Sequence, residues 1–329
     1  MVTALIALAA SASWGIGDVI AGLVGRRTSS WTVSLVSQAA GLVVGLLLFV
    51  FVGRGWLGWE ATGPALLAGV AVALGMGAYF KALAVGTMSL VAPIASSGAV
   101  VPVAVGLMRG ERPSVLQAVG VLAAVIGVGL AVYDRHPQGG VVGTIEVGAA
   151  APIPAETAGK TPDVSPPEQR PRLAATLAVV AAGFFGFSLV GYAATAAYDP
   201  FLPAVAGRIT SVIMLTLLVG GLRLWARRAS ASGGGSKAGT PFDYSIPGFR
   251  LPKDVWPSVV AAGLFHLSAA TLFSLSTTRG LLSLVSVLSS LGAVVTMGVG
   301  YHVLRERLEP QQLVGVALAL LGVIGIAGG

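Results

Sequence analysis

The sequence predicts an all-α membrane protein with ten transmembrane helices arranged as two inverted five-helix repeats. Three observations predict it. Of the 329 residues, 55% are hydrophobic and only 10% charged, where a soluble chain would carry roughly a quarter charged. Charge-free apolar runs of about twenty residues, the length that crosses a bilayer as helix, recur along the chain. The second half also repeats the first in order. A mean hydropathy of +0.87 leaves more apolar surface than one soluble core could hide, and the polar alternation of membrane-spanning strands is absent.

Apolar runs bounded by charge, proline or glycine place helices near 2–24, 31–53, 63–85, 88–108 and 114–133. Ala9 to Ser13 has the small residues of a signal-peptidase site, but no basic residue precedes it. The run continues to about Val24, so it counts as the first helix and not as a cleaved leader. Residues 1–133 form the first repeat. Residues 134–172 carry Pro137, Pro152, Pro154, Pro162, Pro166, Pro167 and Pro171 among scattered acids and predict a disordered Pro/Gly-rich linker. The second repeat, 173–329, has runs near 173–196, 200–225, 255–277, 280–303 and 309–328, with a polar, Gly/Ser-rich loop at 226–254.

The 46 glycines fit helices that associate in lipid through close backbone approach. Gly41 and Gly45 make one such face.

The repeat is read within the chain itself. Gly86, Ser89-Leu90-Val91, Ser96, Gly98-Ala99-Val100-Val101 and Val105-Gly106 recur as Gly280, Ser283-Leu284-Val285, Ser290, Gly292-Ala293-Val294-Val295 and Val299-Gly300. After a one-residue insertion, Glu111-Arg112, Gln117, Gly120 and Gly127 are answered by Glu306-Arg307, Gln312, Gly315 and Gly322. An odd number of crossings per copy makes the second enter from the opposite side, an arrangement that suits two bundles rocking about a central site.

The formal charge of +7 does not indicate nucleic acid, because the basic residues sit between spans without aromatic interleaving. With no cysteine, disulfides, thiolate catalysis and cysteine-ligated metal are excluded. No metalloprotease helix, nucleophile elbow or phosphate-binding loop is present, and no cluster of His and acidic residues suits a metal. The reading is of no enzyme, no cofactor and no metal.

Short motifs add a resemblance. They are Trp14-Gly15, Tyr79-Phe80-Lys81-Ala82-Leu83, Pro93, Pro102 and Gly110-Glu111-Arg112 in the first half, then Arg279-Gly280, Ser283-Leu284-Val285, Arg305-Glu306-Arg307, Gln312 and Gly315 in the second. In this order they resemble the drug/metabolite transporter superfamily, specifically its EamA-type ten-helix members. The resemblance implies a multi-pass protein of the cytoplasmic membrane that moves a small metabolite or drug, often outward, through a cavity between the halves. The bilayer and a small-molecule substrate are its expected partners; a coupling proton and a second copy of the chain are candidate partners. Pro93 and Pro102, which predict breaks in the fourth helix, are matched by Val287 and Thr296 in the ninth, so that helix is expected to lack them. The basic loops put both termini outside by the positive-inside rule, whereas the resemblance puts them in the cytoplasm.

A charge at mid-membrane costs on the order of 3 kcal/mol, which makes buried ionisable groups functional candidates. Asp18 lies roughly 7 Å past the middle of the first helix at 1.5 Å per residue, too deep to snorkel easily. Lys81, at a similar depth in the third helix, could form an ion pair with it, but a lysine so near a helix end more often snorkels to the interface; Tyr79 reads as a site residue or an interfacial anchor. Arg208 sits well inside the seventh helix, and its guanidinium could hold a carboxylate bidentately. Gln38 occupies the place of Arg208 in the first copy. His266, near the middle of the eighth helix, could relay a proton, the competing reading being a neutral histidine bonded to a neighbouring hydroxyl. Glu111-Arg112 and Glu306-Arg307 read as local pairs or caps of the turn before the next helix. The main competing readings are a non-transporting scaffold or lipid-binding subunit and an intramembrane enzyme.

Overall fold

The structure is a computed structural model that describes residues 1–25, 28, 30–52, 57–85, 94–95, 97–132, 171–231, 251–292, 294–295 and 310–328. Among these no strand occurs. Apolar runs give α1 (Val2–Gly25), α2 (Ser30–Phe51) and α3 (Trp59–Val85). A 3-10 turn at Ser97–Ala99 leads into α4 (Val100–Met108), and α5 (Val115–Val132) completes the first half. The second half comprises α6 (Pro171–Ala196), α7 (Leu202–Ala231), α8 (Trp256–Thr277) after a 3-10 turn at Lys253–Val255, α9 (Leu282–Ser290) and α10 (Pro310–Gly328). Six of these are long and apolar enough to cross a membrane.

Local chemistry sets the ends. The Ser114 hydroxyl accepts the Gln117 N–H at 3.1 Å and the Gln117 side chain accepts the Ser114 N–H at 2.9 Å, a reciprocal cap that starts α5. Asp199 Oδ1 accepts from the N–H groups of Phe201 (2.7 Å) and Leu202 (3.1 Å), starting α7 after the Asp-Pro step. α7 continues helical to Ala231, into the stretch expected as polar loop. The expected linker, 134–170, lies outside the described residues, and Pro171, its predicted last proline, instead opens α6, where a missing N–H is no loss.

Packing is dominated by contacts between the halves. α3 lies on α6, α1 on α8 and α5 on α10 most extensively, followed by α3 on α7, α2 on α8 and α2 on α7. Replacing each helix by its counterpart five places on turns α1–α8 into α6–α3 and α2–α8 into α7–α3, so the pattern maps onto itself.

The glycine crossings carry the same symmetry. A Cβ on Gly127 would stand 2.7 Å from the Gly315 carbonyl, and one on Gly322 would stand 2.6 Å from the Gly120 carbonyl; these are equivalent positions exchanged. Likewise Gly263 lies against the Ser37 carbonyl and Gly69 against the Gly207 carbonyl, both too close for a side chain. In α2 the expected face is used, with Gly41 meeting Arg208 and Gly263 while Gly45 meets Val205 and Leu267. α2 against α7, and α5 against α10, therefore run antiparallel.

Thr3 donates to the Arg279 carbonyl at 3.1 Å, and Glu111 accepts from the start of α9. The N-terminus, the α4–α5 turn and the α8–α9 turn thus meet at one end of the bundle. At the other end Val24, Val33, Leu251, Val255 and Val259 form an apolar cluster.

Pro102 is buried in the first turn of α4, directly after the 3-10 turn; Pro93 lies outside the described residues. α9 stops at Ser290. No proline lies in α9, so this end forms without one. Close packing accompanies it in both copies: Gly98 sits against the Ala182 carbonyl and Gly186, and Gly292 against the Ser11 carbonyl and Gly15.

Candidate functional site

Arg208 and the Asp18–His266 pair sit where helices of opposite halves cross. On α1 and α8, Asp18 Oδ1 and His266 Nε2 are 3.0 Å apart. The ring reaches this position because Gly17 offers no side chain: a Cβ there would stand 3.2 Å from the imidazole. The pair is accessible, with the Asp18 side chain 56% and the His266 side chain 22% exposed. Asp18 does not face Lys81, for which pairing was the lesser of the two readings. α1 packs chiefly on α8, α9 and α2, while α3 packs on α6 and α7, and Lys81 is exposed near the end of α3.

One turn back along α8, Gly263 meets α2 at Ser37 and Gly41. A Cβ on Gly41 would lie 2.8 Å from Arg208 Nε and 2.8 Å from the Gly263 carbonyl, so the three helices pinch around the guanidinium. Arg208 is 3% exposed. Its Nη1 donates to the Ala204 carbonyl at 2.9 Å, whereas Nε is buried with no hydrogen-bond partner. Tyr192 of α6, also buried, lays its ring and hydroxyl over Gly207, the neighbour of Arg208. Tyr192 was not singled out from sequence; the only signal was a phenol near the end of an otherwise apolar run.

The remaining expected residues stand apart. Gln38 is half-buried one turn before Gly41, and no described hydrogen bond joins it to Arg208. Tyr79 packs edge-on against Phe185, with centroids 6.4 Å apart, in a cluster with Ala82, Ala174 and Ala178; it belongs to the α3–α6 contact. Glu111 does not cap its own next helix. Its carboxylate crosses to the other half and accepts the N–H groups of Leu282 at 2.7 Å and Ser283 at 3.0 Å.

A groove of about 540 Å³ between α3 and α6 is lined by Leu67, Val70, Leu74, Val180, Phe184 and Phe187. It holds none of these polar groups and reads as a lipid-facing furrow. Among the described residues no group of three or more His, Asp or Glu side chains could hold a metal.

The two halves thus meet at small-residue crossings with a few polar groups between them. Residues 1–133 match the EamA-like transporter family. The matched stretch contains Asp18, Gln38, Tyr79 and Lys81, while Arg208 and His266 lie beyond it. A solved structure described only as "Crystal structure of protein" superposes with a TM-score of 0.69 at 16% identity, covering 99% of this chain and 95% of that one. At that identity the likeness is one of fold. No curated protein matches the chain.

Proposed function

We propose that the chain is a secondary carrier that moves a small metabolite or drug-like molecule across the cytoplasmic membrane by alternating access, as an exporter. The ten crossings divide into an EamA-like repeat at 1–133, a linker at 134–172 and an inverted second repeat at 173–329. The observation that carries this reading is the gathering of Arg208 and the Asp18–His266 pair where α1 and α2 of one half cross α7 and α8 of the other. Polar groups there are expensive in lipid unless a passage uses them. Crossings built from glycine let two like bundles separate on one side and close on the other. The Asp18–His266 pair is the place where a coupling proton would be handled. The resemblance to drug/metabolite exporters supports the outward direction.

The test is flux. Purified protein in liposomes loaded with a cell extract should release specific small molecules that protein-free liposomes retain. Retention of every species by correctly inserted protein would instead favour a non-transporting scaffold or lipid-binding subunit.

A further inference from the structure

Arg208 carries a charge that the described part of the molecule does not balance. Each described carboxylate is committed elsewhere. Asp18 faces His266, Glu111 caps α9, and Asp199 caps α7 roughly 13 Å away along that helix at 1.5 Å per residue. Glu60 and Asp254 are exposed. An arginine buried at this depth without a counter-charge is unfavourable, and a permanent guanidinium does not escape by losing its proton.

The orientation of the group is informative. Nη1 is held by its own helix through Ala204, which fixes the side chain and leaves Nε buried and unbonded. Nε belongs, with Nη2, to the guanidinium edge that takes a carboxylate through two parallel hydrogen bonds. In this conformation the Gly41 backbone covers Nε. The edge is reached when α2 parts from α7, a movement between the halves that alternating access requires. Beyond the pinch, Val205 and Leu267 flank Gly45, while the Tyr192 hydroxyl lies over Gly207, so mostly apolar side chains line the way next to the cation.

We infer that Arg208 is the anchor for the headgroup of the transported molecule, and that this molecule is an organic acid with one carboxylate and an apolar body. A single cation balances a monoanion; a phosphate monoester would bring a second, uncompensated charge into the low-dielectric interior. The inference rests on the transport reading and deepens it.

The experiment separates the two. A cell extract is divided by ion exchange into acidic, neutral and basic fractions, each is loaded into liposomes carrying the full chain, and released species are identified by mass. The expected result is release of carboxylic acids alone, reduced about tenfold or more by Arg208→Gln and less by Arg208→Lys, which keeps the charge but loses the fork. A merely structural arginine would not alter selectivity, so acids are also competed against their primary amides: the wild type should prefer the acid and Arg208→Gln should not. Release of neutral, basic or phosphorylated species, or acid release indifferent to Arg208→Gln, overturns the inference while leaving transport intact. No release from any fraction removes the transport reading itself. Where Arg208→Gln fails to fold, the charge selectivity of the wild type decides alone.

Discussion

Asp18 and His266, 248 positions apart in the chain, meet at 3.0 Å across the α1–α8 crossing. Neither has a partner of its own kind in the other copy. Asp18 follows Gly17 on a helix whose close approach admits the imidazole, and the pair stays accessible while Arg208, one turn further along, is sealed. A carboxylate and an imidazole in contact can exchange a proton with a passage, the hydrogen bond between them stabilising whichever partner is left charged. Asp18→Asn keeps the shape and removes the negative charge. Flux driven by a pH gradient should fall by about tenfold or more, the scale of one charge-assisted hydrogen bond, while solute exchange without a gradient persists. The measurement is parallel gradient-driven and exchange assays in the same liposomes; equal effects on both would remove the pair from coupling.

Gly69 and Gly263 are equivalent in the repeat, and each lies against a backbone carbonyl, of Gly207 and Ser37 respectively. Ala at either position must push two helices apart and should destabilise the protein by about 1–3 kcal/mol, to a similar extent at both sites. Gly63→Ala, with nothing near it, should be tolerated. Thermal unfolding in detergent checks all three.

Glu111 ties the α4–α5 turn to α9. Gly110, at a φ of +88°, makes the turn that no β-carbon would favour, and the carboxylate folds back against Gly106, where a Cβ would collide with it. Glu111→Ala should cost roughly 1.5–3 kcal/mol, as expected for hydrogen bonds to a charged acceptor. Hydrogen exchange should then rise at Leu282 and Ser283 specifically. Gly106→Ala should produce the same local signature by displacing the carboxylate, and unchanged protection in both variants would remove the cap.

Much of the architecture was legible because lipid imposes a simple rule: a crossing needs an uninterrupted apolar run, and α1, α6, α8 and α10 begin and end near the limits those runs set. Close backbone approach at Gly41 and Gly45 was legible for the same reason, since small residues at i and i+4 share a helix face. Interhelical partners were not. Depth alone allows Asp18 a pair with Lys81, but depth does not say which helices are neighbours; His266 lies beside Asp18 because α1 packs on α8. Glu111 looked like a local cap, yet it serves a helix 171 positions away. The break after Ser290 had no proline to announce it, and its counterpart at Ser97–Ala99 shows that close packing at Gly292 and Gly98 accompanies the interruption in both copies.

The most direct test asks whether the two copies cross the membrane in opposite senses. The chain has no cysteine, so single cysteines can be placed at Thr28, in the α1–α2 turn, and at Tyr198, its counterpart in the exposed α6–α7 turn, and labelled with an impermeant maleimide from each side of sealed vesicles. Two reversed copies predict that the two positions label from opposite sides. Labelling of both from the same side would contradict the account.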